Sequence, residues 1–200
     1  MIIGENARMI IGITGGVGCG KSTAVEIFKE LGFRTLDSDD LVKEIYLNDQ
    51  EVKDALREHF GKEVLAEGGE VDRSFLAKRV FGNSEERLWL ENLVHPRVKL
   101  LRDKYIAGAP GEWWAVEIPL LFEKNLESEC DIIICLSARN DLQLSRSARK
   151  GLDLGDVESR IASQLSLEQK EKRADYVIYN NENIETLCTQ ICELVQTLRG

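Results

Sequence analysis

The feature that most constrains this chain is the run Gly15-Gly16-Val17-Gly18-Cys19-Gly20-Lys21-Ser22, which satisfies G-x-x-x-x-G-K-[ST]. Average residue usage gives a match of this kind in 200 residues a chance probability on the order of 1%. The flanks fit as well. Met9 to Ile13 is a short, β-branched apolar run, as a strand covered on both faces requires. Beyond the glycines, Ala24, Ile27, Phe28 and Leu31 recur at helical spacing, and Gly32 stands at the C′ stop. In such a strand, loop and helix, glycines let backbone N–H groups converge on phosphate oxygens, and the helix N-terminus adds its dipole. Lys21 then reaches the β- and γ-phosphates, and the Ser22 hydroxyl serves Mg²⁺. Gly16, Val17, Gly18, Cys19, Gly20, Lys21, Ser22 and Thr23 are therefore the expected residues of a nucleoside triphosphate site. A thiol at a helix N-terminus can be acidified, which makes Cys19 a candidate redox switch. A simple need for a small side chain is the preferred reading.

The rest of the chain alternates short apolar runs with helical patterns, which predicts a doubly wound α/β fold around a five-stranded parallel sheet flanked by helices. Strands are expected at Met9 to Ile13, Phe33 to Leu36, Trp113 to Ile118, Asp131 to Leu136 and Tyr176 to Tyr179. Ile184, Leu187, Ile191, Leu194, Val195 and Leu198 make a closing amphipathic helix. Two intervals are too long for simple crossovers. Some 75 residues separate the second and third strands, with helices expected at 39–47, 50–60, 73–81 and 84–107. Asp72 is the expected N-cap of the third of these, and Pro96 is expected to kink the last or start a new segment. The second excess, 139–173, is helical and rich in arginine. The expected organisation is one domain, with a core of 9–38, 111–138 and 174–200, a helical insertion at 39–110 and a helical lid at 139–173. The repeat of Met1-Ile2-Ile3-Gly4 as Met9-Ile10-Ile11-Gly12 suggests that 1–8 is a leader.

Charge enters as a test of these readings. The formal net charge of −9 argues against a role in coating nucleic acid or docking on anionic membranes. The 139–173 segment runs the other way, with eight basic and six acidic side chains. Arg146 and Arg149 are three apart, hence on one helix face, suited to grip phosphate oxygens together. The five cysteines are odd in number and form no Cys-x-x-Cys pair, and His59 and His95 are the sole histidines. A zinc site is not expected. No stretch reaches 18 consecutive apolar residues.

Among proteins with such loops, a regulatory GTPase should carry Asn-Lys-x-Asp and Asp-x-x-Gly, and neither occurs. The Leu-Ser-Gly-Gly-Gln signature of transporter ATPases is also missing. A compact core with two insertions suits a small-molecule kinase, one insertion holding the acceptor and the other closing to exclude water. Asp37 and Asp39 follow the second strand, at the carboxyl edge where open α/β sheets place ligands. Asp39 is the better candidate to take the acceptor's proton, an N-cap being the ordinary alternative for either. A nucleoside monophosphate, shikimate or another hydroxyl-bearing acceptor fits equally at this point, and a nucleotide-binding switch protein is the other alternative. The pair Trp113-Trp114 opens a core strand and is read as packing rather than as a base-stacking platform.

Taken in order, further elements resemble the dephospho-CoA kinase family over about residues 9–198. These are Ile13-Thr14-Gly15-Gly16-Val17-Gly18 with Gly20-Lys21-Ser22-Thr23, Asp37-Ser38-Asp39, His95-Pro96, and Ile118-Pro119-Leu120-Leu121-Phe122-Glu123. Arg146 with Arg149, Gln164, Lys170, Ala174-Asp175 and Asn180 continue the pattern. The resemblance implies ATP-dependent phosphorylation of the ribose 3′-hydroxyl of dephospho-CoA, with Mg²⁺, in the cytoplasm. It implies a P-loop kinase core, a helical CoA-binding subdomain and a lid. Under it Asp39, Lys21 and Arg146 are catalytic, Arg149 joins the loop in holding ATP, and Asp39, His95, Glu117 and Leu121 hold the acceptor. For His95, a helix-capping or core histidine fits as well. Two positions depart from the family pattern. Glu117 stands where many members have Asp, and Lys150-Gly151 follow Arg149 where an acidic or amide residue is usual.

Overall fold

The computed structural model describes residues 8–200, so the expected leader lies outside the described residues except for Arg8. Its central strand is β1 (Met9–Gly15), buried at every position. The loop leads into α1 (Lys21–Glu30), β2 (Arg34–Asp37) and α2 (Ser38–Asn48). Next come α3 (Gln50–Phe60), α4 (Arg73–Val80) and α5 (Ser84–Ala107). Then follow β3 (Trp113–Glu117), β4 (Ile132–Ser137), α6 (Asn140–Arg149), α7 (Leu154–Ser163), α8 (Leu167–Arg173), β5 (Tyr176–Tyr179) and α9 (Ile184–Arg199). The strands form one sheet in the order β2-β3-β1-β4-β5. All four pairings are parallel. No helix of the described residues is long and apolar enough to cross a membrane.

The alternation along β1 sets the two faces of the sheet. Met9, Ile11 and Ile13 join Ala24, Ile27 and Phe28 of α1 and Leu187, Ile191 and Val195 of α9 in one core. Ile11, Ile13 and Phe28 are fully buried, each worth about 1.5–3 kcal/mol relative to exposure. Gly12 faces the opposite side, where the thiol of Cys130 and the side chain of Leu121 leave no room for a β-carbon. Trp113 stacks edge-on against Phe33, and Trp114 is buried, so the pair packs as expected.

The chain divides into two compact units, one holding residues up to Asp37 together with Ala109–Gly200, the other Ser38–Gly108. The second unit has its own core, from Ile45, Tyr46, Val52, Leu56, Phe60, Val64, Leu76 and Val94. Asp72 caps α4, its carboxylate accepting from Phe75 N at 2.9 Å. His59 ties α3 to α5 by stacking on Trp89 (3.7 Å between centroids, 10° between planes) and meeting Glu86 at 2.6 Å. One part of the expectation at Pro96 needs correction, because no new segment starts there and α5 runs through it as a single helix. The carbonyl that loses its partner is that of Asn92, an exposed residue, so water can serve it. Arg97 supports the same turn, donating through Nη1 to the Leu93 carbonyl at 3.2 Å.

Candidate active site

The phosphate loop spans the gap between β1 and α1, and its neighbours dictate its composition. Gly18 and Gly20 have φ of +74° and +95°, values that side-chain-bearing residues seldom adopt. They are also crowded. A β-carbon on Gly18 would strike the backbone of Gln143 in α6, and one on Gly20 would strike the Asn180 carboxamide. Lys21 donates through Nζ to the carbonyls of Gly15 at 3.3 Å and Gly16 at 3.0 Å, which keeps its ammonium at the loop. Ser22 is exposed in the first turn of α1 and Thr23 half-buried, while Cys19 is fully buried.

Three side chains hold the loop from behind, and no sequence motif pointed to the first. Gln143 is buried, donates through Nε2 to the Ala138 carbonyl at 2.8 Å, and sets its oxygen against Gly16. Asn180, at the end of β5, donates through Nδ2 to the Cys19 carbonyl at 3.0 Å. Arg146 then grips Asn180, with Nη1 at 2.9 Å from its carbonyl and Nη2 at 3.4 Å from its Oδ1. Arg146 and Arg149 therefore differ more than their spacing suggests. Arg146 is half-buried and engaged with the loop's support, whereas Arg149 is exposed in the last turn of α6.

At the carboxyl edge of the sheet, Glu117 is a register partner of both Asp37 and Ile13. Glu117 is buried at 8% exposure, so its carboxylate is a fixed part of this edge. Asp39 is the second residue of α2 and exposed, so it does not occupy the N-cap position. His95 is exposed in the middle of α5, which rules out both the helix-cap and the buried-core readings. Asp39 and His95 belong to the Ser38–Gly108 unit, the loop and Glu117 to the other.

Leu121 and the basic segment are placed differently from expectation. Leu121 is fully buried and packs against Gly12, so it serves the core and has no surface to offer an acceptor. The basic character of 139–173 is partly taken up by contacts within the unit. Lys170 is fully buried against Glu123, Arg173 pairs with Glu127 and covers the Phe122 ring, and Lys172 pairs with Glu168 at 2.6 Å. Leu167 of α8 packs on the main core as well, so α8 is part of the core rather than of a lid.

The redox reading of Cys19 meets an opposing effect. Burial pushes its thiol up, against the pull of Lys21. The neighbouring Cys135 is pushed up to about 12, first by burial and then by Cys19. At pH 8 that leaves roughly one Cys135 thiolate in ten thousand. A water-soluble aromatic disulfide at pH 8 should label the half-buried Cys130, Cys188 and Cys192, with Cys19 and Cys135 reacting only after unfolding. Rapid labelling of Cys19 in the native protein would restore the switch reading.

A parallel sheet of order β2-β3-β1-β4-β5, with a phosphate loop between its central strand and the following helix, defines a P-loop kinase fold. The dephospho-CoA kinase family profile matches residues 9–186, and the chain belongs to that family. A dephospho-CoA kinase of Syntrophotalea carbinolica is 37% identical over 194 residues, spanning 95% of this chain and 92% of the relative. Among solved structures, a protein of Thermus thermophilus matches with a TM-score of 0.83 and 33% identity, covering 97% of this chain and 100% of that one. Dephospho-CoA kinase from Campylobacter jejuni matches with a TM-score of 0.69 and 29% identity, covering 96% and 98%.

Proposed function

We propose that this protein transfers the γ-phosphoryl group of ATP to the ribose 3′-hydroxyl of dephospho-CoA, giving coenzyme A. The observation that carries the reading is the complete phosphate loop, braced by Gln143 and Asn180, in a chain whose family profile covers residues 9–186. Family membership favours dephospho-CoA over the nucleoside monophosphate and shikimate acceptors that the motifs left open.

Within this reading the loop amides and Lys21 hold the donor phosphates, and Asp39 orients the acceptor hydroxyl and takes its proton. Arg149, exposed on α6, completes the charge around the transferring group. The Ser38–Gly108 unit carries Asp39 and His95 and is the acceptor-binding part. Any lid falls to residues 149–163, because α6 is tied through Gln143 and Arg146, and α8 through Lys170. Among the described residues no group of three or more His, Cys, Asp or Glu side chains could hold a metal. That fits Mg²⁺, which takes one or two protein ligands and completes its shell with phosphate oxygens and water. Ser22 would be its protein ligand, with Asp37 and Glu117 at the adjoining strand ends to orient its waters. When bound, Mg²⁺ supplies charge neutralisation across the β- and γ-phosphates. The expected location is the cytoplasm.

A coupled assay for ADP release tests the reading, with dephospho-CoA, nucleoside monophosphates and shikimate offered separately. Release dependent on dephospho-CoA alone is expected. Turnover with another acceptor and none with dephospho-CoA would overturn it.

A further inference from the structure

Lys170 is the one lysine among the described residues that is fully buried, and it lies in none of the elements that touch nucleotide in the proposed reaction. Its Nζ donates to the Pro119 carbonyl at 3.0 Å and meets Glu123 Oε1 at 3.0 Å. The same Glu123 oxygen accepts from Leu165 N at 3.0 Å, just ahead of α8. Glu123 Oε2 is buried and makes no hydrogen bond within the protein. The Pro119 carbonyl in turn accepts from Thr14 Oγ1 at 3.3 Å, and Thr14 is the residue immediately before the phosphate loop. Ile118 N donates to Ile13 O at 2.9 Å, so β1 holds this segment at a second point.

One carbonyl therefore joins three pieces: the strand that carries the loop, the segment that follows Glu117, and α8. The choice of a charge for that junction is informative. An apolar pair of equal volume would hold α8 against the sheet without the cost of desolvating two ions. It would not fix the direction of the Pro119 carbonyl. We propose that Lys170 and Glu123 are positioning residues, which set the phosphate loop and Glu117 in register with each other through Pro119 and Thr14. The inference rests on the kinase reading for its assay, and the wild-type enzyme measured alongside separates failure of that reading from failure of this one.

The pair acts on alignment more than on affinity. Substrate binding is spread over many contacts, whereas in-line transfer is sensitive to displacements of a fraction of an ångström. Changing only one partner strands the other's charge in the core and invites misfolding. The main test is therefore the double variant Lys170→Met with Glu123→Gln, which removes both charges and keeps an acceptor for Leu165 N. It should fold, by circular dichroism and a cooperative melt, and lose at least tenfold in kcat. Its KM values for ATP and dephospho-CoA should move by less than threefold. Thr14→Val is the second variant. It keeps the volume, removes the hydroxyl from the same carbonyl without touching the ion pair, and should lower kcat three- to tenfold at unchanged KM. Wild-type kcat in either folded variant would overturn the proposal. So would a loss carried wholly by KM, since that is what a displaced binding surface gives.

Discussion

Asp39→Asn should lower kcat by about 10²–10⁴-fold, the range removed with a general base, while ATP binding stays within about twofold of wild type. The asparagine keeps the size and one hydrogen-bonding oxygen, so the acceptor can still bind. It cannot take the hydroxyl proton as the new bond forms. Folding should survive, because Asp39 is exposed in the first turn of α2 rather than capping it. What is lost there is a favourable charge at a helix N-terminus, a modest and salt-screened effect. The adjoining aspartates supply the controls. Asp40 is committed to Lys43, with Oδ1 and Nζ 2.5 Å apart, so Asp40→Asn should keep near-wild-type turnover. Asp37 lies beside Glu117 at the sheet edge, and its asparagine variant should shift the Mg²⁺ dependence of the rate before it shifts the acceptor's KM. Steady-state kinetics with calorimetric nucleotide titration distinguishes the three. Near-wild-type kcat for Asp39→Asn would remove it from the mechanism.

The parts of this molecule that could be read from sequence are those whose causes are local. The phosphate loop announces itself because strand, glycines, lysine and helix are consecutive. Gly32, with φ of +87°, closes α1 where a C′ glycine was expected, and Asp72 caps α4 from the expected position. The four helices of the first long interval were legible from caps and spacing, and they form within two residues of expectation.

What escaped was decided by partners far along the chain. Asn180 reaches a carbonyl 161 residues away, and Arg146 a carbonyl 34 residues away. Neither separation leaves a periodic trace. Lys170 is the sharpest case. Counted as sequence, it adds to the basic balance of 139–173, yet in the fold it is a core residue neutralised by Glu123. Leu121 illustrates the same failure on the apolar side. A motif carried it to the acceptor, whereas the close approach of Gly12 draws it into the core. Pro96 shows a local rule outweighed, since the helix on either side is packed through Val94 and Val98.

Lys21→Ala is expected to be the other severe loss, about 10²–10³ in kcat, with ATP binding also weakened. The range is that for removing a preorganised electrostatic donor aimed at charge that grows in the transition state. Lys21 differs from Asp39 in acting on the donor, so both kinetic constants should move. Alanine should leave the fold in place. The ammonium donates to the carbonyls of Gly15 and Gly16, and alanine removes both bonds. The loop's shape depends instead on Gly18 and Gly20 against Gln143 and Asn180, which the substitution leaves untouched. Tm should therefore change little, and the defect should be chemical. Lys21→Arg should not rescue it. The guanidinium is planar and longer than the ammonium, so it cannot put a compact point charge where Nζ sits, 3.0 and 3.3 Å from the carbonyls of Gly16 and Gly15. Full activity in the arginine variant would show that charge alone is needed at this position, and that the loop is looser than its packing indicates.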